Sequence, residues 1–157
     1  MANFKNQRGI TIVEFALVGA VFFTVLFGLI DLSRLYFDVA TLDEATRRGA
    51  RLAAVCPVND PVIAQTAVFA GSGTQSTLVP GLDTGHVSLQ YLNIDGDTVA
   101  DPAGAGYGSI RYVRVSIQNF QVQTFIPFMS SMITLPAFQT TIPSESLGRV
   151  GVADIAC

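Results

Sequence analysis

Residues 10–30 read ITIVEFALVGAVFFTVLFGLI, and the reading of this run places everything around it. At about 1.5 Å of rise per residue, a helix of this length crosses a hydrocarbon core about 30 Å thick. Between Gly9 and Ile30 the one charged residue is Glu14. Ahead of the run stand Lys5 and Arg8 with no acid, so the short amino-terminal segment is expected on the cytoplasmic side and everything beyond Ile30 on the other. A secretory signal has a shorter apolar run, about 7–15 residues, followed by a small-residue cleavage site. Here the small residues Gly19 and Ala20 lie inside the run and no such site follows Ile30 closely, so the segment is expected to be kept as an anchor.

Glu14 is the residue that needs a reason. A carboxylate in a spanning segment costs roughly a few kcal/mol near the bilayer centre and by default marks function. It lies near the cytoplasmic end, however, where that cost is smaller and where the positive end of the helix dipole favours an acid. Physics alone leaves a functional acid and an interfacial acid equally open.

The surrounding residues add a resemblance. Arg8-Gly9 followed by Ile10-Thr11-Ile12-Val13-Glu14-Phe15 resembles the prepilin-peptidase site of type IV filament systems. Within those systems it is most similar to the Tad (tight adherence, Flp-type) branch, whose sites read glycine, four residues, then glutamate and an aromatic. Ile10 stands where other type IV pilins and type II secretion pseudopilins usually carry Phe, and Phe15 where major Flp pilins often carry Tyr. Major Flp pilins are little more than the helix. A chain with a long segment beyond it resembles the minor, TadE-like pseudopilins, over Arg8 to about Val55. Fainter similarity appears at Phe125-Ile126-Pro127-Phe128 and Pro143-Ser144-Glu145-Ser146.

The resemblance implies a leader of residues 1–9, cut between Gly9 and Ile10 by a membrane aspartyl prepilin peptidase. Gly9 would let the scissile bond approach the catalytic aspartates closely, having no side chain. Arg8 and Lys5 would hold the leader against the anionic inner leaflet. Glu14, with Phe15 beside it, would serve subunit assembly, the carboxylate meeting the new Ile10 amine of a neighbouring subunit. The implied partners are the prepilin peptidase, other pilins or pseudopilins, and the inner-membrane assembly platform with its ATPase. The implied role is a non-enzymatic minor pilin supporting pilus assembly, adhesion and surface colonisation. The subunit would sit in the bacterial inner membrane with a periplasmic carboxyl-terminal domain before assembly, and in an extracellular pilus afterwards. The competing reading is a bitopic protein that displays a binding domain and never enters a filament.

Beyond the anchor, residues 31–56 are expected to continue the helix outside the membrane. Leu32, Leu35, Tyr36, Val39, Leu42, Ala45 and Leu52 recur at steps of three and four, while Asp43–Arg47 and Glu44–Arg48 form acid-first pairs four apart. Pro57 should end the helix at Val55 or Cys56. Residues 57–157 then read as an α+β domain. Asp60-Pro61 opens a short helix that Gly71 would end. Strands are expected at Val87–Asn93 and Ile110–Gln118, with an extension over Phe120–Phe125, and at Phe138–Ile142. Asp95-Gly96 is a hairpin turn, Pro102–Gly108 a flexible tip, and Phe128–Ile133 a short helical turn. The predicted fold is a long amino-terminal helix, transmembrane and then amphipathic, packed on a small antiparallel sheet.

Composition closes off other functions. The net charge is -3 and the Arg47, Arg48, Arg51 cluster is interleaved with acids, so a nucleic-acid surface is not indicated. Cys56 and Cys157 are the two cysteines and His86 the one histidine, so no metal site is expected. In an oxidising compartment the two cysteines could form one disulfide; otherwise they are independent thiols. Asp95, Asp97 and Asp101 lie close in sequence as oxygen ligands, but their spacing does not match an EF-hand, and a solvated hairpin is preferred over calcium. Phe125, Pro127, Phe128, Met129 and Met132 form an apolar group read as core or as a partner patch. No phosphate loop, dinucleotide glycine pattern or nucleophile elbow is present, and no cofactor is expected.

Overall fold

The computed structural model describes residues 7–71, 73–124, 132–150, 153–154 and 157. Helix α1 runs Gln7–Val55. Its continuity follows from the absence of proline before Pro57, and it stops there because Pro57 has no N–H to donate. Helix α2 is Pro61–Ala67. The strands are β1 (Val87–Leu92), β2 (Tyr112–Ile117), β3 (Gln121–Gln123), β4 (Met132–Thr134), β5 (Phe138–Pro143), β6 (Arg149–Val150) and β7 (Ala153–Asp154). The described residues divide into two units. One lies within Met1–Phe37 and Val122–Ile133, the other within Asp38–Gln121 and Thr134–Cys157.

In the second unit, β1, β2 and β5 form an antiparallel sheet with β2 in the centre. Register pairs Leu89 with Val115 and Tyr91 with Val113 on one side, and Val113 with Ile142 on the other. The outer part of α1 packs on this sheet, with Ala50, Ala53 and Cys56 in one core with Ile63, Tyr91, Ile110, Val113, Val115 and Leu147. The architecture is the α+β arrangement expected, one long helix on a small antiparallel sheet. Pro143 ends an edge strand, where a missing N–H breaks no ladder.

The buried face of α1 differs from the expected stripe of large residues. Leu42 and Ala45 are buried and Leu35, Val39 and Leu52 half-buried, but Tyr36 is 76% exposed and Leu32 is exposed as well. The face that meets the sheet is instead Leu42, Ala45, Thr46, Gly49, Ala50, Ala53 and Ala54, nearly all small. Close approach explains it: a Cβ on Gly49 would come within 2.9 Å of the Ala67 Cβ and 3.1 Å of a Val115 methyl. The Thr46 hydroxyl is satisfied by Thr140 at 2.9 Å on β5.

The end of α1 is capped by a distant segment. The Ala54 carbonyl accepts from the N–H groups of Glu145 (3.0 Å) and Leu147 (3.2 Å), and the Val55 carbonyl from Gly148 N–H (2.6 Å). The Ser146 hydroxyl also donates to Val55 O at 3.1 Å. Last-turn carbonyls have no partner within their own helix, so these bonds answer a real deficit. Gly148 has φ +78°, and a Cβ there would lie 2.6 Å from the Pro57 nitrogen, which makes glycine the residue that fits. A disulfide joins Cys56 to Cys157, with Cα atoms 5.7 Å apart.

Helix α2 starts as expected, with the Asp60 carboxylate accepting from Val62 N–H at 2.9 Å and Pro61 in the first turn. It ends before Gly71. Phe69 adopts φ +58°, and the bonds Ala70 N–H to Gln65 O and Phe69 N–H to Thr66 O close a Schellman motif with phenylalanine where glycine is usual. The Asp95-Gly96 turn is formed, with Gly96 at φ +88° and the Asn93 side-chain oxygen accepting from Asp95 N–H and Asp97 N–H. The Pro102–Gly108 stretch is a folded turn rather than an open tip: the Asp101 carboxylate accepts from Gly104 N–H and Ala105 N–H.

In the Phe128–Ile133 stretch, Met132 and Ile133 belong to strand β4, which pairs with β3, so the described part is extended and not helical. Asn119, at φ +58°, lies between β2 and β3, where the chain leaves the three-stranded sheet for a separate two-stranded ribbon. Phe125, Pro127, Phe128 and Met129 lie outside the described residues.

Candidate functional site

Helical spacing puts Ile10, Val13, Glu14, Leu17 and Val18 on one face of α1, where they line a shallow groove. Ile10 and Glu14 stand one turn apart within the chain. Phe15 is exposed on the adjoining face. Among the described residues nothing covers these side chains: the most apolar stretch of α1, mean hydropathy 2.4, is wholly unburied, and it is long and apolar enough to cross a membrane. A helix apolar on all sides demands an apolar surrounding.

The rest of the run is chemically quiet. The Thr24 hydroxyl donates to Ala20 O at 2.8 Å, and Ser33 to Leu29 O at 2.8 Å, so both are satisfied by their own helix. Phe22 and Phe23 meet edge to face at 5.5 Å, and Phe23 stacks with Phe27 at 6.3 Å. Glu14 alone brings a formal charge to this surface. Arg8 and Gly9 lie on the helical backbone of the first turn of α1; their side-chain surroundings, and residues 1–6, are outside the described residues.

The other residues singled out by sequence are engaged structurally. His86 Nδ1 lies 2.9 Å from Asp83 Oδ1, its ring meets Phe120 edge to face at 5.7 Å, and the pair closes a capping box on a short 3-10 turn at Thr84–His86. Asp101 is occupied by backbone amides, and among the described residues no three acidic, histidine or cysteine side chains converge on a metal position. Arg47 pairs with Asp43 at 2.9 Å. Arg48 instead lies over the Phe69 ring at 4.6 Å, bracing the residue that carries the left-handed backbone. Arg149 lies 3.7 Å over the Tyr107 ring, and the Tyr107 hydroxyl donates to Ser146 O. Cys56 and Cys157 are brought together.

Two features went unread in the sequence. Tyr91 is buried, with its hydroxyl oxygen accepting from Asn59 N–H at 2.9 Å. Burial pushes this phenol above the ordinary tyrosine range; the Asn59 bond opposes that and the nearby Asp60 charge adds to it. The second is a mainly apolar pocket of about 190 Å³ in the first unit, where Gly28, Leu32 and Leu35 of α1 face Val122 and Ile133 of the ribbon. A usable signal was Met132-Ile133, two consecutive apolar residues flanked by polar ones.

Residues 9–51, the span from Gly9 through the outer helix, match the family model described as TadE-like protein. No curated protein and no solved structure matches the chain.

Proposed function

We propose that this chain, TadE-like over residues 9–51, is a minor pilin or pseudopilin of a Tad-type pilus, a structural subunit and not an enzyme. The observation that carries the reading is Glu14. It is a single carboxylate on an otherwise apolar, uncovered helical face, inside the matched segment and just after Gly9.

On this reading the prepilin peptidase cuts between Gly9 and Ile10, using the bare backbone at Gly9, with Arg8 at the cytoplasmic membrane surface. The freed Ile10 amine of one subunit then meets Glu14 of its neighbour. An ionised carboxylate in an apolar bundle is unfavourable, and a cation within about 4–6 Å offsets that cost. Such a pair guides register more than it adds stability. Phe15 adds apolar contact on the next face. Residues 10–30 anchor the subunit in the inner membrane, and residues 31–157 lie on the periplasmic side and, after assembly, on the pilus. The Cys56–Cys157 bond suits an oxidising compartment. The partners are the peptidase, other pilins, and the assembly platform with its ATPase, and the outcome is adhesion and surface colonisation.

The amino terminus of the native protein decides between this and a tethered domain outside any filament. Ile10 as first residue is the expected result; a terminus still carrying Lys5 would falsify the processing. Gly9→Ala should accumulate the unprocessed form. Glu14→Ala should be processed normally yet fail to enter pili, and pili of normal content from that variant would remove the pairing role.

A further inference from the structure

The first unit contains more than the anchor. Ribbon β3–β4 lies beside α1 at Gly28 to Leu35, bordering the partly open, mainly apolar pocket of about 190 Å³ whose lining also includes Asp31 and Arg34. At 1.5 Å per residue, Gly28 is about 27 Å and Leu35 about 38 Å along the helix axis from Ile10. A hydrocarbon core is about 30 Å thick and a bilayer with its headgroups about 40–45 Å. The ribbon is therefore level with the outer headgroup region of a membrane that α1 crosses from Ile10.

Its surface is unsuited to water. Met132 is 68% exposed and Ile133 40%, and as neighbours in a strand they stand on opposite faces of the ribbon. Leu32, Tyr36 and Phe37 on α1 are exposed at the same level. Gln121, Gln123 and Thr134 supply polar groups beside them. An isolated two-stranded ribbon is marginal in water and needs something to pack on. Aromatic residues at the end of a span, with apolar and polar groups mixed, are what the headgroup boundary accepts.

We propose that the β3–β4 ribbon, together with Leu32 and Tyr36, is a lipid-contacting collar that seats in the outer headgroup interface of the bilayer. The occupant of this surface is lipid, because exposed Leu29, Ile30 and Leu32 carry the apolar helix up to it, with Asp31, Ser33 and Arg34 interspersed at the level where headgroups accept charge. The inference rests on α1 being a membrane anchor and on no other part of the proposed function.

The chain has no tryptophan, so one introduced indole reports its own surroundings. Met132→Trp is compared with Leu17→Trp in the span and Ile94→Trp on the β1 turn, where Ile94 is 67% exposed between hydrated residues. The full chain is placed in phosphatidylethanolamine–phosphatidylglycerol vesicles with and without phosphatidylcholine dibrominated near the headgroup. The expected result is loss of most emission at positions 132 and 17, and none at 94. Quenching at 17 with none at 132 would overturn the collar and leave the anchor standing. No quenching at 17 would overturn both. Blue-shifted but unquenched emission at 132 would mean that another subunit covers the ribbon, and the lipid assignment would fall. Ile133→Trp gives the same reading should Met132→Trp disturb the strand.

Discussion

The two halves of α1 solve opposite problems with one backbone. From Ile10 to Phe37 the helix is mainly apolar with large side chains, and among the described residues little covers it. From Asp38 to Val55 it turns alanine, glycine and threonine inward against a sheet, with Asp38 buried as well and Glu44, Arg47 and Arg51 outward. Side-chain size tracks the neighbour. A fluid apolar medium adapts to bulky Phe, Leu and Val, whereas a backbone that lies against another backbone demands small residues. The contrast implies that perturbations of the outer half act on folding stability, and that the same perturbations in the first half leave folding untouched.

The largest effect is expected from the disulfide. Cys56→Ser with Cys157→Ser, or reduction, should destabilise the outer unit by about 4–5 kcal/mol, since the closed loop is long. The helicity of residues 10–30 should persist. Denaturant unfolding followed by near-ultraviolet and far-ultraviolet circular dichroism would register this, and simultaneous loss of both signals would break the distinction between the halves. Next, Gly49→Leu forces a side chain into the Ala67 and Val115 contact and should cost about 1–3 kcal/mol. Gly19→Leu, where nothing lies within 4 Å of the added carbon, should leave the unfolding midpoint unchanged. Equal shifts in both variants would refute the packing argument.

A third test uses pH. The folded state holds the Tyr91 proton more tightly than the unfolded chain, whose tyrosine titrates near about pH 10. Its contribution is therefore complete below that pH and is lost as pH rises from there through the higher folded value. Tyr91→Phe should flatten this alkaline loss, measured as midpoint against pH; an unchanged slope would discount Tyr91 as its source. The smallest effect belongs to the exposed Asp43–Arg47 pair. Asp43→Ala should cost no more than about 0.5 kcal/mol and less in high salt, so a large salt-independent loss would show that the outer face of α1 does more than meet solvent.

Much of the architecture was open to reading before any coordinates. The span, the helix stop at Pro57, the Asp60 cap, the Asp95-Gly96 turn and the strands over Val87–Leu92, Tyr112–Ile117 and Phe138–Pro143 all carry local signals: hydrophobic length, a missing N–H, a short carboxylate, a residue that accepts positive φ. Glu14 was legible for the same reason, since a charge in an apolar run needs no partner to be noticed. The misread elements were those whose cause lies elsewhere in the chain. Leu32 and Tyr36 fit a helical stripe, but periodicity is blind to how near the sheet comes, and distance selected Gly49 and its alanine neighbours instead. Nor does anything local mark Phe69 as a helix terminator or Ser144–Gly148 as the cap of α1. Phe69, at φ +58°, carries the Arg48 guanidinium of α1 over its ring, and the cap exists because orphan carbonyls at Ala54 and Val55 are met by the turn at Glu145–Gly148 some ninety residues later. By itself the amino-acid order determined the long helix, its apolar length and the main strands, because those follow from a residue's own hydrophobicity and backbone preference. Which faces are buried, which ends are capped and where the ribbon lies were decided only in three dimensions, because they depend on the separation between atoms far apart along the chain.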